Sequence, residues 1–335
     1  MTERIKFIDL AKGMCIMLVV LYHINRRYDM YPELFKILST FRMPLYFFLS
    51  GLFFKEYENF LGFLKRKTNK LLIPFLFFYL ITSFLLPNLL YQFGYTVEKT
   101  ESLGISGLWA FLNKEQFSNG PIWFLWCLFL LNIIFYLIYM VAQRTTLPLP
   151  VLLLLGALLG GLGMACSING VNLRGFLDTA LTALPFFCIG YVFRKHTRIL
   201  YDNSFDKYLP VIICICAVIT IVGGGSSSYK VNNFGMHPLL VYLRGLSGTL
   251  FIVFLAKFLK NLPFISYWGR YSIMVLLTHG LLLQVYIPII KKLHLGDGLS
   301  VVLLLIVTMF SYNLIIPLMK KYLPYVTAQK DVIPV

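Results

Sequence analysis

The sequence predicts an all-α integral membrane protein, and three observations lead to that fold class. Hydrophobic residues make up 59% of the 335-residue chain, and charged residues make up only 13%. The mean hydropathy of +0.77 lies well outside the range of ordinary soluble domains. Apolar windows of about 20 residues, the length that crosses a hydrocarbon core of about 30 Å, recur along the whole sequence.

Ten such windows can be placed, which predicts about ten transmembrane helices. The predicted spans are residues 5–24, 40–56, 72–91, 122–142, 149–167, 176–193, 209–223, 238–258, 271–290 and 299–319. The segments between them are too short to hold a soluble domain, so residues 1–335 are expected to form one membrane domain.

The distribution of Lys and Arg predicts the orientation of these spans. An even number of spans places both termini on one side, and about twice as many cations lie on that side as on the other. Both termini are therefore predicted to be cytoplasmic. The net charge of +16 is dispersed over short loops, so topology and anionic lipid explain it better than nucleic acid does.

The first predicted span carries three ionisable residues, Asp9, Lys12 and His23. Lys12 and His23 are eleven positions apart, which on a helix leaves them about 20° apart in azimuth and about 16 Å apart along the axis. Asp9 precedes Lys12 by three residues and can pair with it on the same face. A polar stripe inside a membrane span favours a functional site. The simpler alternative is a snorkelling lysine and a histidine at the far helix end.

Other polar groups interrupt the later spans. Arg42 lies at the start of the second span, in the segment FRMPLYFFLSG, and His279 lies inside the ninth. Asn119 and Trp123 belong to the segment NGPIWFL that opens the fourth span. The densest basic cluster is Lys65, Arg66, Lys67 and Lys70. That cluster either stops translocation or binds a phosphorylated cytosolic ligand.

Cysteine and glycine patterns favour packing over chemistry. The six cysteines lie in predicted spans without C-x-x-C or metal-ligand spacing, so we expect packing roles and no metal cofactor. The glycines of residues 160–163 are expected to allow close helix packing. Gly223 to Ser228, GGGSSS, is expected to form a flexible loop.

The order and spacing of these motifs resemble the acyltransferase-3 family of multi-pass membrane carbohydrate O-acyltransferases. Asp9, Lys12 followed by Gly13, and His23 match the way that family opens, with Lys where Arg is commoner. The segment FRMPLYFFLSG is similar to the family's F-x-M-P-L-F-F-F-x-S-G element, with Arg42 where His is frequent.

Later motifs extend the resemblance. Lys67 and Lys70 look like the family's basic pair, again with Lys for Arg, which keeps the charge but loses the bidentate fork. The segment NGPIWFL, and GRYS followed by His279, resemble later landmarks of the family. The resemblance therefore runs from Asp9 to His279.

The resemblance implies transfer of an acyl group, usually acetyl, from a cytosolic acyl-CoA such as acetyl-CoA to a hydroxyl of a cell-surface or lipid-linked carbohydrate. The expected location is a bacterial cytoplasmic membrane, and the expected partners are the carbohydrate or glycolipid acceptor and membrane lipids. The residue assignments are catalytic His23, Asp9 and Lys12; donor-binding Arg42, Lys67 and Lys70; and substrate-binding Asn119, Trp123 and His279.

In this assignment His23 is the general base that deprotonates the sugar hydroxyl, and Asp9 holds Lys12. Direct transfer and a transient acyl-histidine both remain open. A different class of function also fits the intramembrane charges, namely a transporter or flippase for lipid-linked sugars with His23 and His279 in a proton relay. An inverted repeat would favour that alternative, and the two halves of the sequence show no convincing similarity.

Overall fold

A computed structural model of the chain describes residues 5–57, 59–86, 105–115 and 119–334, and within these ranges the fold is almost entirely helical. The helices are α1 (Lys6–Asn25), α2 (Pro32–Leu52), α3 (Phe60–Leu85), α4 (Ile105–Leu112), α5 (Trp123–Gln143), α6 (Pro148–Ile168), α7 (Leu177–His196), α8 (Leu209–Ile221), α9 (Pro238–Leu259), α10 (Pro263–Arg270), α11 (Ser272–Lys291) and α12 (Asp297–Tyr322). Between α8 and α9 lies a short antiparallel hairpin of β1 (Ser227–Ser228) and β2 (Asn233–Phe234).

Eight of these helices are long and apolar enough to cross a membrane, which confirms the predicted all-α membrane fold. They are α1, α3, α5, α6, α7, α9, α11 and α12. The predicted windows 40–56 and 209–223 fall on α2 and α8. Helix α2 has 21 residues but includes several charged ones, whereas α8 has only 13 residues. The last part of the predicted window 72–91, from residue 87 onward, lies outside the described residues.

Helix α2 is enclosed by protein along most of its length. A Cβ atom at Gly51 would overlap the backbone carbonyl of Phe187 in α7, and one at Gly190 would overlap that of Phe48 in α2. Small residues at these two points let the α2 and α7 backbones approach closely. The rings of Phe47 and Phe48 are completely buried beside this crossing. Helix α2 therefore needs less lipid-facing hydrophobicity than the outer helices.

Helices α1 and α10 cross at a second close contact. A Cβ atom at Gly13 would overlap the carbonyl oxygen of Ile265, and one at Gly269 would overlap that of Asp9. This crossing fixes the rotation of α1 against the segment that leads directly into α11. It therefore sets the direction in which the polar residues of α1 point.

A flexible loop was expected at Gly223 to Ser228, but its last two residues form β1 of the hairpin, which hydrogen bonds attach to the surrounding helices. The Ser227 N–H donates to Ser39 Oγ of α2 at 2.9 Å, and Thr179 of α7 donates its hydroxyl to the Tyr229 carbonyl at 2.8 Å. The Asn232 amide donates to the Gly163 carbonyl of α6 at 3.0 Å. Bonds to three helices hold the hairpin in one place, because its side chains and backbone groups satisfy polar groups inside the bundle.

Two other buried cations, Lys114 and Arg244, contact polar groups of neighbouring elements. Lys114 and Asp178 form an ion pair at 2.6 Å with side chains only 2% and 1% exposed, and it joins the loop after α4 to the start of α7. Arg244 of α9 donates to the Thr220 carbonyl at the end of α8. All six cysteines are free thiols. Four of them are buried, in line with the predicted packing roles, whereas Cys166 is half-buried and Cys214 is exposed. A Cβ at Gly160 would overlap Pro185 of α7, which confirms a packing role there.

Candidate active site

Two cavities lie along the polar face of α1. One, of about 790 Å³, is lined by His23 and is named the His23 cavity. The other, of about 420 Å³, is lined by Lys12 and is named the Lys12 cavity. Both are lined by Tyr46, Phe124 and Leu276, which we call the wall residues because they lie between the two spaces. Lys12 and His23, two of the three residues of the predicted stripe, thus face two adjoining cavities on either side of a wall.

The Lys12 cavity is strongly basic. Its cationic lining residues are Lys12, Lys55, Arg66, Lys67 and Lys70, and none of the described residues that line it is Asp or Glu. The Lys12 ammonium lies 3.9 Å from the centroid of the Phe53 ring. Tyr57 adds a phenol hydroxyl that can donate a hydrogen bond, and burial raises the pKa of that phenol. Such a cavity suits a polyanionic ligand.

The chain beyond α12 contacts the basic turn of α3. Lys70 donates to the Ala328 carbonyl at 2.9 Å and forms an ion pair with Asp331 at 2.8 Å. The Asn69 side chain accepts from the Val332 and Ile333 N–H groups, each at 2.9 Å. Residues 68–72 form a π-helical turn, a widened turn that is frequent at functional sites. One predicted donor-binding lysine therefore already has a carboxylate partner.

His23 lies in the last turn of α1 beside His279 of α11. The centroids of the two imidazole rings are 5.2 Å apart, with the ring planes tilted by 51°. His279 is fully buried, and its Nδ1 lies 2.8 Å from the Val275 carbonyl oxygen. Because a carbonyl can only accept, Nδ1 carries the proton and Nε2 carries the lone pair. That Nε2 has no hydrogen-bond partner among the described residues.

Arg42 also belongs to the His23 cavity. Its guanidinium lies 3.3 Å from the centroid of the Tyr22 ring, and that ring meets the His23 ring edge-on at 5.4 Å. Arg42 is 8% exposed, and one of its terminal nitrogens has no hydrogen-bond partner within the described part of the chain. The three predicted donor-binding residues are thus divided, because Lys67 and Lys70 line the Lys12 cavity with Lys12.

The predicted substrate-binding residues occupy different positions around His23. Trp123 lines the His23 cavity and stacks on Phe176 with ring centroids 5.4 Å apart. Asn119 donates its amide to the Leu277 carbonyl at 2.9 Å, which ties the start of α5 to α11. The backbone of Asp9 lies at the crossing with α10, and its pairing with Lys12 stays a prediction.

The cations of the His23 cavity other than Arg42 were not identified from the sequence. They are Arg26, Arg27, Lys230 and Lys291, which come from the end of α1, the hairpin and the end of α11. Each looks like an ordinary loop or helix-end charge in the sequence. Only the fold brings them to one cavity.

The fold and the site define a class, namely a multi-pass helical membrane protein with a histidine pair at the edge of one of two adjoining basic cavities. The sequence model of an acyltransferase domain, Acyl_transf_3, matches residues 5–318, nearly the whole chain. The chain therefore belongs to the acyltransferase-3 family, as its motifs predicted, and is a multi-pass membrane acyltransferase. No curated protein and no solved structure matches the chain.

Proposed function

We propose that this protein transfers an acyl group, in the simplest case acetyl, from cytosolic acyl-CoA to a hydroxyl of a cell-surface or lipid-linked carbohydrate. The proposed location is a bacterial cytoplasmic membrane. The observation that carries the proposal is the pair of basic cavities along one face of α1, with Lys12 in one and His23 in the other. Family membership supports acyl transfer in general, and the cavities supply a route for two different substrates.

The proposed topology has ten spans with both termini in the cytoplasm. It counts α2 and α8 as spans beside the eight apolar helices. The excess of Lys and Arg on the side of the termini supports this orientation. In it, the Lys12 cavity opens toward the cytosol and the His23 cavity opens toward the opposite side.

The donor is proposed to enter through the Lys12 cavity. Coenzyme A has a polyanionic nucleotide end and a long, thin pantetheine arm. The cations around Lys12, Lys67 and Lys70 neutralise the nucleotide end, while the arm carries the thioester toward His23. Because the wall residues lie between the cavities, at least one of those side chains has to move before the thioester reaches the imidazole.

His23 is proposed to act as the general base. One ring nitrogen takes the proton from the acceptor hydroxyl while its oxygen attacks the thioester carbonyl, and the carbon–sulfur bond then breaks as the protonated imidazole returns a proton to the thiolate. A positioned imidazole typically contributes about 10² to 10⁴ in rate. In an acyl-histidine route, His23 attacks the thioester first and displaces the thiolate. The acceptor hydroxyl then attacks the acyl-imidazole, which releases the imidazole, and the hydroxyl proton passes to the thiolate or to water. The buried guanidinium of Arg42 is close enough to this region to stabilise the developing oxyanion.

His279 is proposed as the positioning residue that orients His23. With Nδ1–H donated to Val275, the free lone pair on Nε2 can accept an N–H from the adjacent imidazole. The other nitrogen of His23 would then keep its lone pair toward the acceptor. This role differs from the substrate contact that the resemblance implied for His279.

The proposal is tested with purified protein in lipid nanodiscs. Supplied with acetyl-CoA and a carbohydrate extract, the protein should release coenzyme A only when acceptor is present. Mass spectrometry of surface polysaccharide from cells with and without the gene should show acyl groups that depend on the gene. Release of no coenzyme A with any extract, together with unchanged polysaccharide, would reject the proposed activity and reopen the transporter alternative.

A further inference from the structure

The His23 cavity concentrates positive charge on one concave surface. Its cationic lining residues are Arg26, Arg27, Arg42, Lys230 and Lys291, and no Asp or Glu occurs among the described residues that line it. These cations come from four separate elements of the fold. Like charges that converge on one concave surface repel one another, and a bound anion relieves that repulsion.

Membrane topology does not account for this cluster. In the proposed orientation the His23 cavity opens on the side opposite the termini, where cations are expected to be scarce. A group of basic residues on that side therefore needs another explanation. Ligand binding supplies one, because all of these residues line the same cavity of about 790 Å³, a volume within the usual range of ligand sites.

The fold holds several of these charges in place. Lys230 follows Tyr229 in the hairpin, and the bonds of that hairpin to Ser39 and Thr179 fix its path. Lys291 lies 5.6 Å from the Tyr28 ring. Arg42 is more than nine-tenths buried and has a terminal nitrogen without a hydrogen-bond partner among the described residues. A cation that is buried and only partly satisfied favours an anionic partner over water.

We propose that the His23 cavity binds an anionic acceptor, a carbohydrate that carries a phosphate or carboxylate group. This inference rests on the proposed function and adds the chemical class of the acceptor. The oxyanion binds among the Arg26, Arg27, Lys230 and Lys291 side chains, and the hydroxyl to be acylated lies beside His23. Arginine suits both oxyanions, because its planar fork donates two parallel hydrogen bonds.

The oxyanion has two possible sources, the pyrophosphate of a carrier lipid or an acidic sugar of the glycan itself. Three probes distinguish them: farnesyl pyrophosphate, trigalacturonic acid and the neutral maltotriose. Binding to the purified protein in phosphatidylcholine nanodiscs is measured at low and high salt. At least one anionic probe should bind tenfold or more tightly than maltotriose, and its affinity should fall as salt rises.

Neighbouring lysines supply a matched control. Lys291 lines the cavity, whereas the adjacent and similarly exposed Lys292 does not. Lys291→Gln should weaken the anionic probe about threefold or more, and a combined Lys230→Gln and Lys291→Gln variant should weaken it at least tenfold. Lys292→Gln should bind the probe like the unaltered protein.

Three results would overturn the inference. They are equal binding of maltotriose and both anionic probes, equal losses in the Lys291→Gln and Lys292→Gln variants, and loss of probe binding when phosphatidylglycerol is added to the nanodiscs. The last result would assign the cluster to lipid headgroups. Acetyl-CoA binding, measured on the same unaltered protein, tests the proposed function separately, since the donor is expected in the Lys12 cavity.

Discussion

The contact between His23 and His279 allows a prediction in which the two ring nitrogens of His279 are tested separately. His279→Asn keeps a side-chain N–H that can donate to the carbonyl four residues earlier, as Asn132 donates to the Leu128 carbonyl at 2.7 Å. It removes the acceptor at the Nε2 position. His279→Gln instead places amide atoms near that position. Comparing the two variants therefore separates two roles of His279, namely orienting His23 through the Nε2 lone pair and filling space in the core.

The expected loss follows from the contribution of His23. If the oriented imidazole supplies about 10² to 10⁴ in rate, removing only its orientation should cost roughly 10- to 100-fold in kcat. His279→Asn should show this loss, while His279→Gln should recover part of the activity. The KM for acetyl-CoA should change little, because the donor is proposed to bind in the Lys12 cavity.

The assay combines steady-state kinetics of coenzyme A release with thermal unfolding of the same samples. The smaller Asn side chain leaves a small void and should destabilise the protein by about 1–2 kcal/mol. The Gln side chain fills more of that space, so comparing the two unfolding temperatures shows how much of the lost activity is due to packing. Wild-type kcat in His279→Asn would refute the orienting role. Equal losses of kcat in both variants that follow their unfolding temperatures would make His279 a structural residue only.

Further substitutions test other parts of the fold. Asp331→Asn removes the carboxylate beside Lys70 and so frees that lysine for the donor, which should lower the KM for acetyl-CoA by about twofold to fivefold, in line with the strength of a partly exposed ion pair. An unchanged KM in steady-state kinetics would argue that Lys70 does not bind donor phosphate. Asp178→Asn leaves the buried Lys114 ammonium without its carboxylate partner and should lower the free energy of unfolding by about 3–5 kcal/mol in an SDS-unfolding titration. A loss below about 1 kcal/mol would contradict a stabilising role of this ion pair. Gly51→Ala should force α2 and α7 apart and cost about 1–3 kcal/mol in the same titration. Gly161→Ala, where a Cβ meets open space, should cause no loss of stability, because Ala is the better helix former.

The class and the first helix could be predicted from the sequence because they depend on local properties. Composition and apolar window length set the membrane fold, and helical geometry alone brings Lys12 and His23 onto one face. Both residues indeed line cavities on that face. The close packing at Gly160 was also predictable, since small residues in a span favour helix contacts.

The remaining features depend on contacts between distant parts of the chain. His23 and His279 lie in the first and next-to-last long helices, and nothing in their local sequences indicates that their rings meet. Asp331 lies in a polar segment near the end of the chain, so its ion pair with Lys70 has no local signal. The hairpin was missed because GGGSSS has a flexible composition, while the bonds that fix it come from residues such as Thr179 in other helices.

Acyl transfer by a His23→Ala variant tests the central claim most directly. With radiolabelled acetyl-CoA and an acceptor extract, the variant in nanodiscs should transfer label at least about 100-fold more slowly than the unaltered protein. It should still bind acetyl-CoA and unfold at a similar temperature, because the Lys12 cavity and the helix contacts remain. A folded variant that transfers label at more than about a tenth of the normal rate would contradict the claim that this imidazole performs the reaction.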